Sequence, residues 1–229
     1  MGHHVLTLGA VTAILLSSAS PAGASEAAHE DPVRIVISVA ERRLWVIAGD
    51  DTLLDAPIAV GSGRTLRSKD RTWVFVTPRG EATVVRKEED PLWVPPDWHY
   101  FELARKHGFA VERLGREQPV TLRNGSILMV RGERIGVLEP DSTFAELPAD
   151  EEIIFDGVLY IPPFGTRQRL VEGVLGPYRL VLSNGIGIHG TPYTESIGEA
   201  ETHGCIRMYD DDISWLYENI PIGTRVSIQ

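Results

Sequence analysis

The chain has 229 residues, 43% of them hydrophobic and 24% charged, which suits one sizeable globular domain with room for a small second unit and argues against large-scale disorder. Its formal net charge is -10 and its Lys/Arg residues form no run longer than a pair such as Arg42-Arg43, which argues against a nucleic-acid binder, since that role needs a basic face. There is one cysteine, so no internal disulfide can form.

Residues 1–24 contain no Lys, Arg, Asp or Glu and carry an apolar run from Val5 to Leu16, too short for an ordinary membrane-spanning helix. With Ala22-Gly23-Ala24 as an A-x-A-type site, this reads as a secretory signal peptide cut after Ala24. His3 and His4 stand where lysine or arginine is usual, so an uncleaved anchor is the alternative. Residues 25–32 read as a polar linker and 33–229 as the mature domain.

Strands are predicted over 33–39, 44–47 and 53–60, an antiparallel start, with a loop from Gly61 through the charged SKDR run. Further short strands are predicted over 72–77 and 82–86. In Pro91–His99 (PLWVPPDWH) the two tryptophans have two readings: packing against the domain, which is favoured, or lining a groove. Asp97 is placed as the cap of a helix over 98–107 that Gly108 stops. Residues 120–163 read as a β-rich stretch, with hairpins at Asn124-Gly125 and Arg131–Arg134 and single strands over 143–148 and 153–161. The segment of about 100–170 is taken as an inserted module, with or without chemistry of its own.

Tyr178–Ser183 and Ile186–His189 form a predicted hairpin around Asn184-Gly185. Period-2 alternation puts Ile186 and Ile188 on one face and Gly187 and His189 on the other. Residues 190–202 read as a loop that brings His203-Gly204-Cys205 back beside His189. A thiolate attacks carbonyls and needs an imidazole to take its proton, and His189 and His203 are the two candidates. His189, reaching across the loop, is favoured, and the amides from His203 to Cys205 are candidate oxyanion donors. Zinc held by His189, His203 and Cys205 is the rival chemistry, ranked low because the closest pair is separated by one residue. Asp210-Asp211-Asp212 opens a helix with Ile213, Leu216, Tyr217 and Ile220 at helical spacing. These aspartates are read as caps and dipole partners, not metal ligands, and a last strand covers 224–228.

His189-Gly190 followed by Thr202-His203-Gly204-Cys205-Ile206-Arg207-Met208 resembles the signature of the L,D-transpeptidase (YkuD-type) catalytic domain. LGPYRL before it, IPIGTRVSI after it and Thr77-Pro78-Arg79-Gly80 are similar to the same family. The resemblance implies a mainly β fold, a β-sandwich with short helices, whose core does not require so long a connection before LGPYRL. It also implies Cys205 as nucleophile, His189 as base and the Gly190 carbonyl as the group that orients the imidazole. His203 and Gly204 would frame the oxyanion site, Arg207 and Thr202 would meet substrate, and no cofactor or metal is implied. The implied partners are peptidoglycan stem peptides, a tetrapeptide donor and an amine acceptor, outside the cytoplasmic membrane in the periplasm or at the cell surface. Water as acceptor would make an L,D-carboxypeptidase, a lysine on an envelope protein is a third acceptor, and a non-catalytic cell-wall-binding module is the rival from another class. Carbapenem-type inhibitors are expected to trap Cys205 covalently.

Overall fold

The computed structural model describes residues 1–2 and 32–229, so the expected signal peptide and linker fall almost wholly outside the described residues. Among the described residues no helix is long and apolar enough to cross a membrane. The first two strands alternate as their side chains require. In β1 (Arg34–Ser38) Ile35 and Ile37 are fully buried, and in β2 (Arg43–Ala48) Leu44 and Val46 are. β3 (Asp51–Pro57) and β4 (Val60–Gly61) follow, where one continuous strand is predicted.

β5 (Thr65–Arg67) and β6 (Thr72–Val74) form a hairpin, so the predicted SKDR loop is its tip and the strand predicted over 72–77 stops early. β7 (Gly80–Glu89) is twice the expected length because it pairs on both sides, with Tyr178–Leu182 and with Arg225–Ile228. α1 spans Asp97–His107 and ends at Gly108, whose N–H returns to the Ala104 carbonyl. Asp97 is not its cap. Pro96 holds that position, and the Asp97 carboxylate instead accepts from Arg71, Arg113 and Arg169.

Between the two halves lie β8 (Ala110–Arg113), β9 (Val120–Thr121), β10 (Ile127–Arg131), β11 (Arg134–Leu138) and β12 (Phe144–Glu146). β13 (Ile154–Phe155) and β14 (Val158–Ile161) are two strands where one is predicted, because Asp156 and Gly157 both take positive φ and turn the chain. β9–β12 form a sheet of their own over a cluster that includes Leu114, Leu128, Ile135 and Tyr160. α1 packs Tyr100 and Ala104 against Leu159 and Ile161 of β14.

The C-terminal part supplies β15 (Tyr178–Leu182), β16 (Gly187–His189), β17 (Ala200–Thr202), β18 (Ile206–Arg207), α2 (Asp210–Asn219) and β19 (Arg225–Ile228). The main sheet has eight strands in the order β18-β16-β15-β7-β19-β1-β2-β3. The first and last strands therefore lie side by side, in parallel. Leu44 and Val46 near one end share a cluster with Ile188 and Ile206 at the other, so the sheet curls over its own core. α2 closes that core with Ile213, Leu216 and Ile220, the positions predicted from helical spacing, and Tyr217 stacks on Tyr178. The chain is mainly β, as the sequence implies.

Candidate active site

The hairpin of β15 and β16 fixes the first half of the site. Arg179 lies opposite His189 and Leu180 opposite Ile188, so fully buried Ile188 faces the core while His189 faces a groove on the other side. The alternation read from the sequence therefore holds. β18 then pairs in parallel with β16, setting Ile206 beside Ile188 and Arg207 beside His189. Cys205, one residue before this strand, reaches the same groove and is half-buried, which leaves its thiol accessible.

Residues 202–205 form a tight turn held from inside. The Thr202 hydroxyl donates to the Cys205 carbonyl (2.6 Å) and accepts from the Gly204 N–H (3.1 Å). Thr77, from the Thr-Pro-x-Gly segment, donates its hydroxyl to the Gly204 carbonyl (3.0 Å) and accepts from the Gly61 N–H (2.8 Å). Gly204 sits at φ 127° with a Cβ position 2.9 Å from the Val76 carbonyl oxygen, a conformation and an approach that only glycine accepts. An N–H committed to Thr202 is not aimed into the groove, and the Thr202 hydroxyl is likewise spent within the turn. The predicted loop before this turn ends as strand β17, which pairs in parallel with β4 in a two-stranded sheet of its own.

His189 is 4% exposed and its Nδ1 lies 2.6 Å from the Gly190 carbonyl oxygen. A carbonyl only accepts, so Nδ1 carries the hydrogen and Nε2 holds the lone pair. Burial pushes the imidazole down to about 4; the Gly190 carbonyl opposes the shift, while Arg207 and Arg179 add to it. Gly190 is itself located by its neighbour, since the Thr191 N–H donates to Asp210 at the start of α2 (3.0 Å).

His203 lines the same groove but is engaged by other partners. Its ring stacks on Trp98 at 3.8 Å, meets the edge of Phe75 at 4.4 Å, and its Nε2 lies 2.9 Å from Glu102. Burial lowers its pKa and Glu102 works against that. The tryptophans, read from sequence as favouring the domain interior, are half-buried and line the groove, Trp93 and Trp98 together with His99. Arg207 reaches the Ser196 hydroxyl (3.4 Å) and lies over Tyr193. The groove, about 600 Å³, is bounded by these aromatic rings and by Arg179, His189, Cys205 and Arg207. Among the described residues no three His, Cys, Asp or Glu side chains converge as metal ligands.

The family model of the L,D-transpeptidase catalytic domain (YkuD) matches residues 32–228. The chain belongs to this family. Probable L,D-transpeptidase ErfK/SrfK of Escherichia coli K12 is 29% identical over 200 residues, 86% of this chain and 45% of that protein, so the chain spans about half the length of this relative. Putative L,D-transpeptidase YkuD of Bacillus subtilis is 49% identical over 63 residues, 27% of this chain and 38% of its own. An L,D-transpeptidase structure from Xylanimonas cellulosilytica aligns at a TM-score of 0.45 and 15% identity, covering 88% of this chain and 62% of that one.

Within the family segment, sequence reasoning placed His189, Gly190, Thr202, His203, Gly204, Cys205 and Arg207, and the fold brings these residues to one end of the sheet. It missed Glu102 and Arg179. Glu102 arrives on a helix 101 residues away, and no local pattern ties a surface glutamate to His203. Arg179 was legible in principle, because it shares the groove-facing side of the hairpin with His189.

Proposed function

We propose that the chain is a cysteine-dependent L,D-transpeptidase that cross-links or remodels peptidoglycan stem peptides through a thioester on Cys205. The observation that carries this reading is the His189 imidazole, whose Nδ1–H is held by Gly190 so that a neutral Nε2 is left to accept a proton in the groove that Cys205 lines. In the reaction the thiol proton passes to His189 Nε2 and Sγ attacks the carbonyl at the L-centre of the third stem residue. The backbone turn at 203–205 meets the developing oxyanion. Because the Gly204 N–H is held by Thr202, the His203 and Cys205 amides are assigned that role and Gly204 shapes the turn. The C–N bond to the terminal D-alanine then breaks, and its nitrogen takes the proton from the imidazolium. An amine from a neighbouring stem attacks the thioester, forms the new amide and releases Cys205, and the scheme needs no cofactor. His203 is a positioning residue, held by Trp98 and Glu102 and so withdrawn from proton transfer.

The substrate is extracytoplasmic, which agrees with the export signal read in residues 1–24. We assign residues 33–229 as the catalytic domain and about 100–170 as an inserted module, whose helix α1 furnishes part of the groove wall. The test is mass spectrometry of the mature protein with a disaccharide tetrapeptide, comparing wild type with Cys205→Ala. Cysteine-dependent loss of D-alanine with a mass adduct on the protein is the expected result. A cross-linked dimer as product identifies a transpeptidase, and a tripeptide identifies water as acceptor. Turnover by Cys205→Ala would overturn the mechanism, and unreactive binding by the wild type would favour a cell-wall-binding module.

A further inference from the structure

We propose that Arg179, together with Arg207, forms a carboxylate-recognition site on the donor side of the groove, so that donor peptides are selected by a free carboxylate close to the bond being cut. The inference rests on the donor-peptide reading above. In the sheet Arg179, His189 and Arg207 lie directly abreast on three adjacent strands, so two guanidinium-bearing residues flank the imidazole in one row, both lining the groove. Gly187 makes room for the first of them. A Cβ there would stand 2.7 Å from Arg179 Nε, so the guanidinium lies across a residue that has no side chain, on the approach to Cys205.

The charges of this pair are incompletely answered. Arg179 Nε is buried and has no partner among the described residues. Its Nη1 stands 3.6 Å from Glu88, and that carboxylate is already engaged at 2.7 Å by Arg86. Arg207 contacts the Ser196 hydroxyl and the Tyr193 face and makes no ion pair among the described residues. His189 is neutral and adds no charge of its own at neutral pH. A chain of net charge -10 thus sets two guanidinium groups in a groove whose wall includes Trp93, Trp98, Leu92 and Leu175 and whose one lining carboxylate, Glu102, is engaged by His203. The Arg179 side chain keeps 24% of its surface exposed, and a guanidinium so placed at the groove is suited to a planar carboxylate, which accepts two parallel hydrogen bonds. Two carboxylates of a donor stem lie near enough to the scissile bond: one on the side chain of the third residue, and the α-carboxylate of the departing residue.

The experiment compares wild type, Arg179→Gln and Arg179→Lys on three tetrapeptide donors: the free acid, the third-residue side-chain amide and the C-terminal carboxamide. Arg179→Gln is expected to lower kcat/KM for the free acid by roughly 10- to 100-fold, mainly through KM, with Arg179→Lys intermediate. The donor lacking the carboxylate that Arg179 reads should be cut equally by wild type and Arg179→Gln, which identifies the carboxylate. An unchanged constant for the free acid, or an equal loss on all three donors, overturns the inference, since the second outcome marks a general effect on the thiol or the fold. Calorimetric binding of the same peptides to Cys205→Ala separates the two readings. Carboxylate-dependent binding without any turnover by wild type would sink the transpeptidase reading and leave this site standing, whereas no binding of any donor sinks both.

Discussion

A base for a thiol must be neutral before it can act, and His189 is kept neutral by being buried with one nitrogen already committed to Gly190. The same burial makes a prediction about stability. In the unfolded chain the imidazole takes up its proton near 6.5, whereas in the folded protein it resists until about 4. The unfolded state therefore binds more protons between these values, and stability is full above pH 6.5 and lost as pH falls towards 4, by about 3 kcal/mol from this group. His203 and His99, also depressed chiefly by burial, act in the same direction. Denaturant unfolding at pH 7.5 and pH 4.5 checks this, with a shallower loss expected for His189→Gln; identical slopes would show that burial of His189 is not the cause. In acylation the acid limb set by His189 should lie below the ordinary histidine range, and His189→Ala should abolish thioester formation. A second prediction concerns the turn. Thr77→Val removes the donor to the Gly204 carbonyl and strands the Gly61 N–H, costing about 1–3 kcal/mol and slowing acylation while Cys205 itself is intact. Fluorescence-monitored unfolding and single-turnover acylation measure the two effects, and normal acylation in a folded Thr77→Val would show that the turn needs no brace.

At the scale of elements, helix α1 decides how well the groove wall is held, and its anchor is Asp97. This carboxylate accepts from Arg169, which is 1% exposed, and from Arg113 and Arg71 at the surface. The Arg113 hydrogen bond first, and Arg169 after it, holds Asp97 below the usual carboxylate range against the opposing effect of burial. Asp97→Ala leaves Arg169 buried with its charge unanswered, a loss of about 3–5 kcal/mol for a broken buried pair. Reduced acylation should accompany it, because Trp98 and Glu102 on the same helix hold His203. A fall in Tm without loss of acylation in the still-folded variant would show that α1 does not position the turn. The sequence placed this helix to within one residue and its stop at Gly108, yet assigned Asp97 to capping. Local rules score an aspartate before a helix as a cap, and only the tertiary fold brings three arginines to it. The same limit explains the strands. β1, β2, β15 and β16 were legible because Ile35, Ile37, Leu44, Val46 and Ile188 alternate into a core; β8, whose residues AVER contain none that are fully buried, exists through parallel pairing with β14, 48 positions on, and leaves no periodicity to read.

Among the described residues, the hydrophobic cluster within the curled eight-stranded sheet and the one under β9–β12 are built from different stretches of chain. Gln168 is one of the links that join the smaller sheet to the chain that follows it. Its side chain is 5% exposed; its Oε1 accepts from the Ile135 N–H (3.2 Å), and its Nε2 donates to the carbonyls of Leu147 (2.8 Å) and Ile135 (3.4 Å). The Arg167 N–H adds a bond to the Glu133 carbonyl. A buried amide with this many partners is costly to replace, since Gln168→Leu leaves the Ile135 N–H and the Leu147 carbonyl without theirs, about 1–3 kcal/mol for each group so stranded, while the Ile135 carbonyl keeps its bond from the Leu147 N–H. The loss should be regional. Hydrogen exchange of Gln168→Leu is expected to speed up in residues 120–161 and to leave the amides of β1, β7, β15 and β19 protected, because those strands bury Ile35, Val84, Leu180 and Val226 in the other cluster. Uniformly faster exchange through both sheets would mean instead that the two clusters open as one cooperative unit, and the stretch of about 100–170 would then be an integral part of the catalytic fold and not a module set into it.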